Sequence, residues 1–455
     1  MAVPRAVPGD EVEAVVGEVR RGRIGTRLER VLRASPHRVE APCPHFGRAG
    51  DLSPGCGGCS LQALEYSQQL EAKRAWVRRL LVAHGVDGEL VLPPLGMARP
   101  LHYRNKMEFS FGRDAGGALS LGLHPGGYRH EVLLLERCLL MSEPGFALVR
   151  AVHRFADERG LEPLSSRTGE GFLRGLLVRE GLRTGERMLD LVTTGLESTT
   201  MDGRVVAAAE VARAFRDAVL DAAQRLGAPV SSLYWTRHIA QRGSPTRMEA
   251  HHLDGQPVLH EKLHIAGLPP LRFAIHPRAF FQPNTSQAEL LYGVVARAAG
   301  LDASAPARAR LLDLYAGTGT IGLALAPLCR EVIGIELVAD AVENARANAR
   351  ANGITNARFV CGDVSEALGA EGLDQPGAAD LVVVDPPRAG LMGGAVEALT
   401  RIAAPRLVYV SCNPASLARD LGPLRAAGFR LRSVQPVDMF PQTAHVENVA
   451  LLERD

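Results

Sequence analysis

No apolar run in the 455 residues approaches the length needed to span a bilayer, which argues against a membrane protein built on helices. The opening stretch MAVPRAVPGDEVEAVV has no apolar core and no cleavage pattern. Secretion is therefore not expected, and a reducing cytoplasm is, where cysteines more often serve catalysis or metals than disulfides. There is no internal repeat and no long low-complexity tract. The one Gly-rich turn of nucleotide type carries no Gly-Lys-Ser/Thr, which argues against a P-loop. The Cys-x3-Cys-x2-Cys triple of radical enzymes is absent as well. Net charge is only +2, so the overall balance says nothing about nucleic acid.

What is present reads as an ordinary globular chain, 46% apolar and 22% charged, long enough for two or three domains. Its charge is unevenly spread. Between Arg20 and Arg38 lie seven arginines and one glutamate, a candidate phosphate-contacting surface or simply a solvated basic face. The first forty residues read as strands, and PCPHFGRAGDLSPGCGGCS as a Gly/Pro-punctuated loop. The next segment, LQALEYSQQLEAKRAWVRRLLVAHG, predicts a helix stopping at Gly85, with Leu70, Val77, Leu80 and Leu81 on one side and Lys73, Arg74 and Arg78 elsewhere. HYRNKMEFSFGR alternates as a strand and interleaves Arg104, Lys106 and Arg113 with Tyr103, Phe109 and Phe111; base stacking and a half-buried strand both fit. EVLLLERCLL reads as another strand ending near Cys138.

From about Phe273 the pattern is clearer. ARLLDLY, REVIGIE, ARFVCGD, ADLVVVD and PRLVYVS are short apolar runs, most of them separated by helical patterns. That alternation predicts a parallel sheet covered by helices on both faces, with ligands at the carboxyl ends of its strands. LLDLYAGTGTIGLALA runs strand, Gly-rich turn, helix, and Gly317 and Gly319 let a ligand approach the backbone. Glu336 ends the next strand, nineteen positions after Gly317, where a carboxylate can accept ribose hydroxyls. Asp363 and Asp385 end the third and fourth strands, and Cys412 the fifth. Gly322 follows Gly319 closely enough that a dinucleotide dehydrogenase survives on pattern alone. Among the seven cysteines, Cys43, Cys56, Cys59 and Cys138 form a C-x12-C-x2-C set with a distant fourth, suited to tetrahedral zinc or an iron–sulfur cluster; Cys329 and Cys361 read as packing residues.

Taken together, DLYAGTGTIGLALA, GIEL, DPPRAG, VSCNP and DMFPQTAHVENVALL resemble the RNA uracil-5-methyltransferase family, from about Cys43 to the C-terminus. The resemblance implies an S-adenosylmethionine-dependent enzyme that makes 5-methyluridine in ribosomal or transfer RNA. It implies an α/β fold: a doubly wound class I methyltransferase domain over residues 273–455, a mixed α+β central domain over 41–272, and a short, incomplete N-terminal β piece of barrel type over 1–40. Forty residues are too few for a whole barrel. Cys412 would be the nucleophile and Glu447 the acid/base residue. Gln282 (in FFQPN), Tyr315, Thr320, Glu336, Asp363 and Asp385 would surround the donor and the target base. Many members carry a four-iron, four-sulfur cluster on a cysteine set opening with CPHFG and closing with CGGC, which here implies Cys43, Cys56, Cys59 and Cys138. The inserted RAGDLSPG lengthens the first gap relative to the family.

The chemistry accounts for the cysteine. Carbon 5 of uracil is a poor nucleophile, and thiolate addition at carbon 6 turns the ring into an enolate-like species able to attack a methyl sulfonium. Ribosomal RNA is the expected substrate on the strength of the cluster set, with transfer RNA the alternative; a monomer is expected. Two other readings stand beside it. An exocyclic-amine methyltransferase would use Asp-Pro-Pro but need no cysteine. A non-catalytic RNA-binding factor would have no need of both Cys412 and Glu447.

Overall fold

The computed structural model describes residues 3–20, 23–51, 55–128, 130–240, 243–392 and 394–454, with backbone alone at 18–20 and 23. The chain forms two compact units, Met1–Gln68 with Arg99–Leu259 and Gln69–Ala98 with His260–Asp455. The central region expected to be continuous from 41 to 272 is thus interrupted by a segment that belongs with the C-terminal part.

The first unit opens with an antiparallel hairpin, β1 (Glu11–Arg20) and β2 (Arg23–Arg33). Its register brings carboxylates to the arginine run: Arg30 pairs with Glu13 at 2.8 Å, Arg33 with Glu11 at 3.1 Å and Arg38 with Asp10 at 2.5 Å. Arg27 meets Glu29 at 2.9 Å. The basic surface is therefore weaker than the count along the chain implies, because the cross-strand partners are acidic. Arg21 and the side chains of Arg20 and Arg23 lie outside the described residues.

Helix α1 (Tyr66–Ala83) follows. Gly85, at φ +70°, ends it as expected, with the Val86 N–H bonded back to the Leu81 carbonyl at 3.0 Å. Its buried face holds the expected Val77 and Leu81, with Leu80 packed beside them, but continues through two polar residues. Gln69, Lys73, Val77 and Leu81 are buried, a stripe at every fourth residue, and Leu70 is only partly covered. Lys73 is inside because Asp438 receives its ammonium at 2.5 Å, both side chains being at most 2% exposed. Burial lowers the Lys73 pKa and the Asp438 charge opposes that shift. Removing one partner of such a pair typically costs about 3–5 kcal/mol, since it strands a buried charge.

A seven-stranded sheet of order β11-β10-β7-β6-β3-β4-β5 builds the rest of the first unit. Its members are β3 (Lys106–Arg113), β4 (Leu119–Leu123), β5 (Leu133–Leu134), β6 (Leu173–Glu180), β7 (Arg187–Thr194), β10 (Ser232–Ile239) and β11 (Arg247–Gly255). Helices α2 (Glu143–Glu158) and α3 (Ala208–Leu226) pack their apolar residues into its core, and β8 (Ser198–Met201) with β9 (Arg204–Ala207) makes a small hairpin. Tyr103, Phe109 and Phe111 are buried, so these aromatics fill the core and present no face for base stacking. The expected strand to Cys138 shrinks to the two residues of β5; Cys138 lies beyond it in irregular chain.

The second unit carries β12 (Leu259–Leu263) paired with β13 (Leu271–Ile275), helix α4 (Thr285–Ala298), and a sheet built from β14 (Arg310–Leu314), β15 (Glu331–Glu336), β16 (Ala357–Cys361), β17 (Leu381–Val384), β18 (Arg406–Ser411), β19 (Phe429–Val437) and β20 (Glu447–Arg454). Helices α5 (Thr320–Leu325), α6 (Ala339–Ala351), α7 (Val364–Ala370), α8 (Ala395–Ile402) and α9 (Pro414–Ala426) connect its strands. The order is β16-β15-β14-β17-β18-β20-β19, doubly wound about β14. The five expected strands are parallel, and β20 and β19 extend the sheet antiparallel. These two were not read from the sequence. Among the described residues no helix is long and apolar enough to cross a membrane.

Candidate active site

The Gly-rich turn leaves β14 through Tyr315, a non-glycine residue at φ +64°, and reaches α5 through Gly317 at φ +56° and Gly319 at φ +77°. A side chain at Gly319 would place its first carbon 2.7 Å from the Phe359 ring, so glycine is required there for space as well as for conformation. Glu336, ending the neighbouring β15, closes the turn. Its two oxygens accept the Gly317 N–H and the Val338 N–H, each at 2.9 Å. A carboxylate has lone pairs to spare beyond these two bonds, and the remaining sites suit a diol. Asp363, exposed at the end of β16, caps α7 by accepting the Ser365 N–H at 2.9 Å. Thr320 is hydrogen-bonded to the buried Tyr292 of α4, and the Tyr315 phenol takes the Met392 N–H. Gln282 is buried just ahead of α4, in a segment tied to the turn by Thr318 Oγ1 donating to the Phe280 carbonyl at 3.3 Å.

Cys412 follows β18 and Glu447 begins β20. The antiparallel register pairs Ser411 with Asn448, which sets the two residues across from each other at the same end of the sheet. Asp385 leaves the parallel β17 at that end, its N–H bonded to the Leu314 carbonyl. Burial pushes the Glu447 carboxyl up to about 8, with the Asp385 charge adding to the shift and Arg388 opposing it. Burial alone pushes Asp385 up to about 7. The Cys412 thiol rises to about 11, first from burial, then from the Glu447 and Asp385 charges, again against Arg388. The Asp385 charge therefore disfavours that of Glu447, and both disfavour the Cys412 thiolate. A thiol there reacts only once a positive charge or a proton acceptor is brought to it.

Two residues of this neighbourhood were missed in the sequence. Arg388, in DPPRAG, is the cation that opposes the shifts at both Cys412 and Glu447, and its Nη2 lies 3.1 Å from His445 Nδ1. Asp313 sits fully buried on β14 and accepts the Gly322 N–H at 2.8 Å, while its other oxygen has no hydrogen-bond partner among the described residues. Burial lifts it to about 7. An acid inside an apolar strand run was the available signal for Asp313. Arg388 gave none beyond its motif.

In the first unit, Cys43, Cys56, Cys59 and Cys138 line one cavity, along with His45, Gln62 and Arg137. Among the described residues no three metal-binding side chains gather as they would around a single ion. The thiols are held individually: the Gly58 N–H points to Cys56 Sγ, Gln62 to Cys59, and the Leu140 and Met141 N–H groups to Cys138. Burial raises Cys56 to about 11 and Cys59 to about 12. Such thiols ionise only for a strong positive partner. Leu52, Ser53 and Pro54 of the inserted RAGDLSPG lie outside the described residues.

A doubly wound sheet, a Gly-rich turn closed by a strand-end glutamate, and further acids along the same edge define an S-adenosylmethionine-dependent methyltransferase. The sequence model described as tRNA (Uracil-5-)-methyltransferase matches residues 196–455. An RNA methyltransferase of Protochlamydia amoebophila is 37% identical over 461 aligned positions, covering 99% of both chains. One from Gloeobacter violaceus is 39% identical, covering 99% of this chain and 91% of its own. Among solved structures, the Pyrococcus abyssi tRNA (uracil-54, C5)-methyltransferase in complex with S-adenosyl-L-homocysteine superposes with a TM-score of 0.74 at 28% identity, covering 99% of this chain and 95% of that one. The chain belongs to the RNA uracil-5-methyltransferase family and transfers methyl groups from S-adenosylmethionine to carbon 5 of uracil in RNA.

The raised carboxyls make a prediction about donor binding. S-adenosylmethionine brings a sulfonium cation, which favours the charged forms of Glu447 and Asp385 and lowers their pKa values from about 8 and about 7. Calorimetric titration near pH 7.5 in buffers of different ionisation enthalpy should show protons released on binding. S-adenosylhomocysteine, which lacks the positive charge, should release fewer, and Glu447→Gln should reduce the release with the methylated donor. Equal release with both ligands would contradict the electrostatic account.

Proposed function

We propose that methyl transfer runs through a covalent bond between Cys412 and the target uracil. The Cys412 sulfur, as thiolate, adds to carbon 6. The electron pair of the 5,6-double bond then attacks the methyl group of S-adenosylmethionine, and the neutral thioether S-adenosylhomocysteine leaves. Carbon 5 now carries both the methyl group and its original hydrogen. Glu447, as carboxylate, removes that hydrogen as a proton, directly or through a water. The double bond re-forms and the thiolate is expelled. Asp385 holds the polar edge of the base. Gln282, Tyr315, Thr320, Glu336 and Asp363 hold the donor or shape its pocket. The observation that supports this reading most is the meeting of Cys412 and Glu447 at one end of the β18–β20 pair.

For the substrate we propose a uridine of ribosomal RNA, on the four-thiol set. The similarity to a transfer RNA enzyme favours transfer RNA as the second reading. Mass-spectrometric mapping of 5-methyluridine in both RNA classes from a strain lacking the gene decides between them. A single ribosomal position should lose its methyl group and regain it on complementation with the wild-type chain but not with Cys412→Ala. Loss from transfer RNA alone would move the assignment. Loss from neither would overturn it.

We further propose that Cys43, Cys56, Cys59 and Cys138 hold a four-iron, four-sulfur cluster. The donor set fits: four thiols line one cavity and, among the described residues, no carboxylate joins them. Bound there, the cluster would cross-link the 43–59 loop to the chain at 138 and supply the positive charge that ionises the thiols. Protein purified without oxygen should be brown, with four irons and four sulfides per chain on the cubane stoichiometry. Chelation should bleach it, and Cys56→Ser should prevent loading. Stoichiometric zinc without iron would keep the four-thiol site and exclude the cluster.

A further inference from the structure

Helix α1 buries a stripe that is half polar. Val77 and Leu81 enter the apolar core of the second unit, but Gln69 and Lys73, two turns and one turn earlier on the same face, do not end in apolar surroundings. They reach the segment between β19 and β20. Lys73 Nζ donates to Asp438 Oδ1 at 2.5 Å and to the Phe440 carbonyl at 3.2 Å. Gln69 Nε2 donates to Gln442 Oε1 at 3.0 Å, and Gln69 Oε1 accepts the Gln442 N–H at 3.1 Å. Gln442 is held at φ +67°, a left-handed conformation that a glutamine rarely adopts. Its paired amide bonds to Gln69 are what such a conformation needs to persist.

The same segment is held from α4. Asn284, which caps that helix, donates to the Met439 carbonyl at 3.0 Å, and Gln287 donates to the Asp438 carbonyl at 3.0 Å. Thus residues 438, 439, 440 and 442 are each bonded to a side chain from another element. The chain then runs through Thr443–Val446 directly into Glu447. A loop pinned this densely fixes where the first residue of β20 starts.

We infer that Gln69 and Lys73 are positioning residues for Glu447: they hold residues 438–442, and through them the carboxylate, at the place from which it serves the target base. The inference rests on the proposed role of Glu447 as the base. Both residues precede the stretch matched by the family model, which begins at residue 196. The step they govern is release of the methylated base. Attack by Cys412 starts from the end of β18, which none of the hydrogen bonds from Gln69 and Lys73 reaches directly. A merely structural role for the pair would lower the folded fraction and slow attack and release alike.

The test separates those steps. Wild type, Gln69→Leu, Lys73→Met and Glu447→Gln are mixed, as full chains, with methyl-labelled donor and total RNA purified from a strain lacking the gene. Formation of the protein–RNA adduct and its decay to free methylated RNA are followed on denaturing gels, alongside circular dichroism and donor affinity. Displacing a catalytic group by an ångström or less slows its step steeply, so decay should fall about tenfold in Gln69→Leu and Lys73→Met while adduct formation stays within about threefold of wild type. Equal slowing of both steps, or no slowing of decay, overturns the inference. Should Lys73→Met fail to fold, Gln69→Leu, which strands no charge, decides alone. If Glu447→Gln accumulates no adduct, the base assignment falls and this inference with it. If Glu447→Gln accumulates adduct and Gln69→Leu does not, only the inference falls.

Discussion

The antiparallel pairing of β18 with β20 is the constraint on which the site depends. Side chains alternate across a sheet, so a shift of one residue in this register would carry Glu447 to the opposite face from the one it now shares with its neighbours. The register is held along the strands by six consecutive partners, from Arg406 with Glu453 to Ser411 with Asn448. At the far end, Arg406 also bonds Glu453 at 2.8 Å. At the active end, the 438–446 loop arrives already tied down by α1 and α4. The parallel part of the sheet then contributes what a doubly wound fold offers along one edge: the donor turn after β14, Glu336 after β15 and Asp385 after β17. On the proposed mechanism, two strand directions serve two substrates, with the donor at the parallel strand ends and the base at the junction with the antiparallel pair.

Electrostatics gives this edge an order of events. Without the donor, Asp313 and Glu447 are buried acids and Asp385 a half-buried one, with pKa values near or above neutrality, and Cys412 is a protonated thiol. A group whose folded-state pKa is raised contributes stability below its unfolded value, and that contribution is lost as pH rises through the folded one. Here that window runs from the ordinary carboxyl range up to about 8. The ligand-free protein is therefore at odds with its own acids in mildly alkaline solution. On the proposed mechanism a sulfonium cation relieves that conflict and favours the thiolate, so that reactivity waits for the donor. Arg388, exposed at the rim, supplies part of the same positive potential permanently.

Much of the second unit was legible because its signals are local. The strand–Gly turn–helix unit, Glu336 at the next strand end and the acids after it are read from neighbours in the chain, and the structure has the five strands parallel, as expected. Cys412 was placed by its strand and Glu447 by its motif. What stayed hidden depends on partners far away in sequence. Lys73 looked like a surface cation because amphipathic reading counts apolar residues, and its partner Asp438 is 365 positions away. The carboxylates that face the arginine run are supplied by hairpin register, which composition along one strand does not reveal. The aromatic residues around β3 looked available for stacking and instead fill the core of the first unit, because alternation tells that a strand has two faces but not which is covered. The gathering of Cys138 with the 43–59 cysteines was read from the cysteine spacing; that β5 stops at Leu134, ahead of Cys138, was not.

The most direct test of the account is the mass of the trapped complex with RNA carrying 5-fluorouridine. Fluorine at carbon 5 cannot be removed as a proton, so after methyl transfer the covalent bond at carbon 6 has no route to break. The account predicts, with S-adenosylmethionine present, a stable species whose mass equals one protein chain plus one RNA plus one methyl group, less the hydrogen of the thiol. Peptide mapping should locate the nucleotide on Cys412, and Cys412→Ala should give none. A wild-type enzyme that methylates ordinary uridine RNA yet forms no adduct with the fluorinated RNA, or an adduct mapped to another residue, would contradict it.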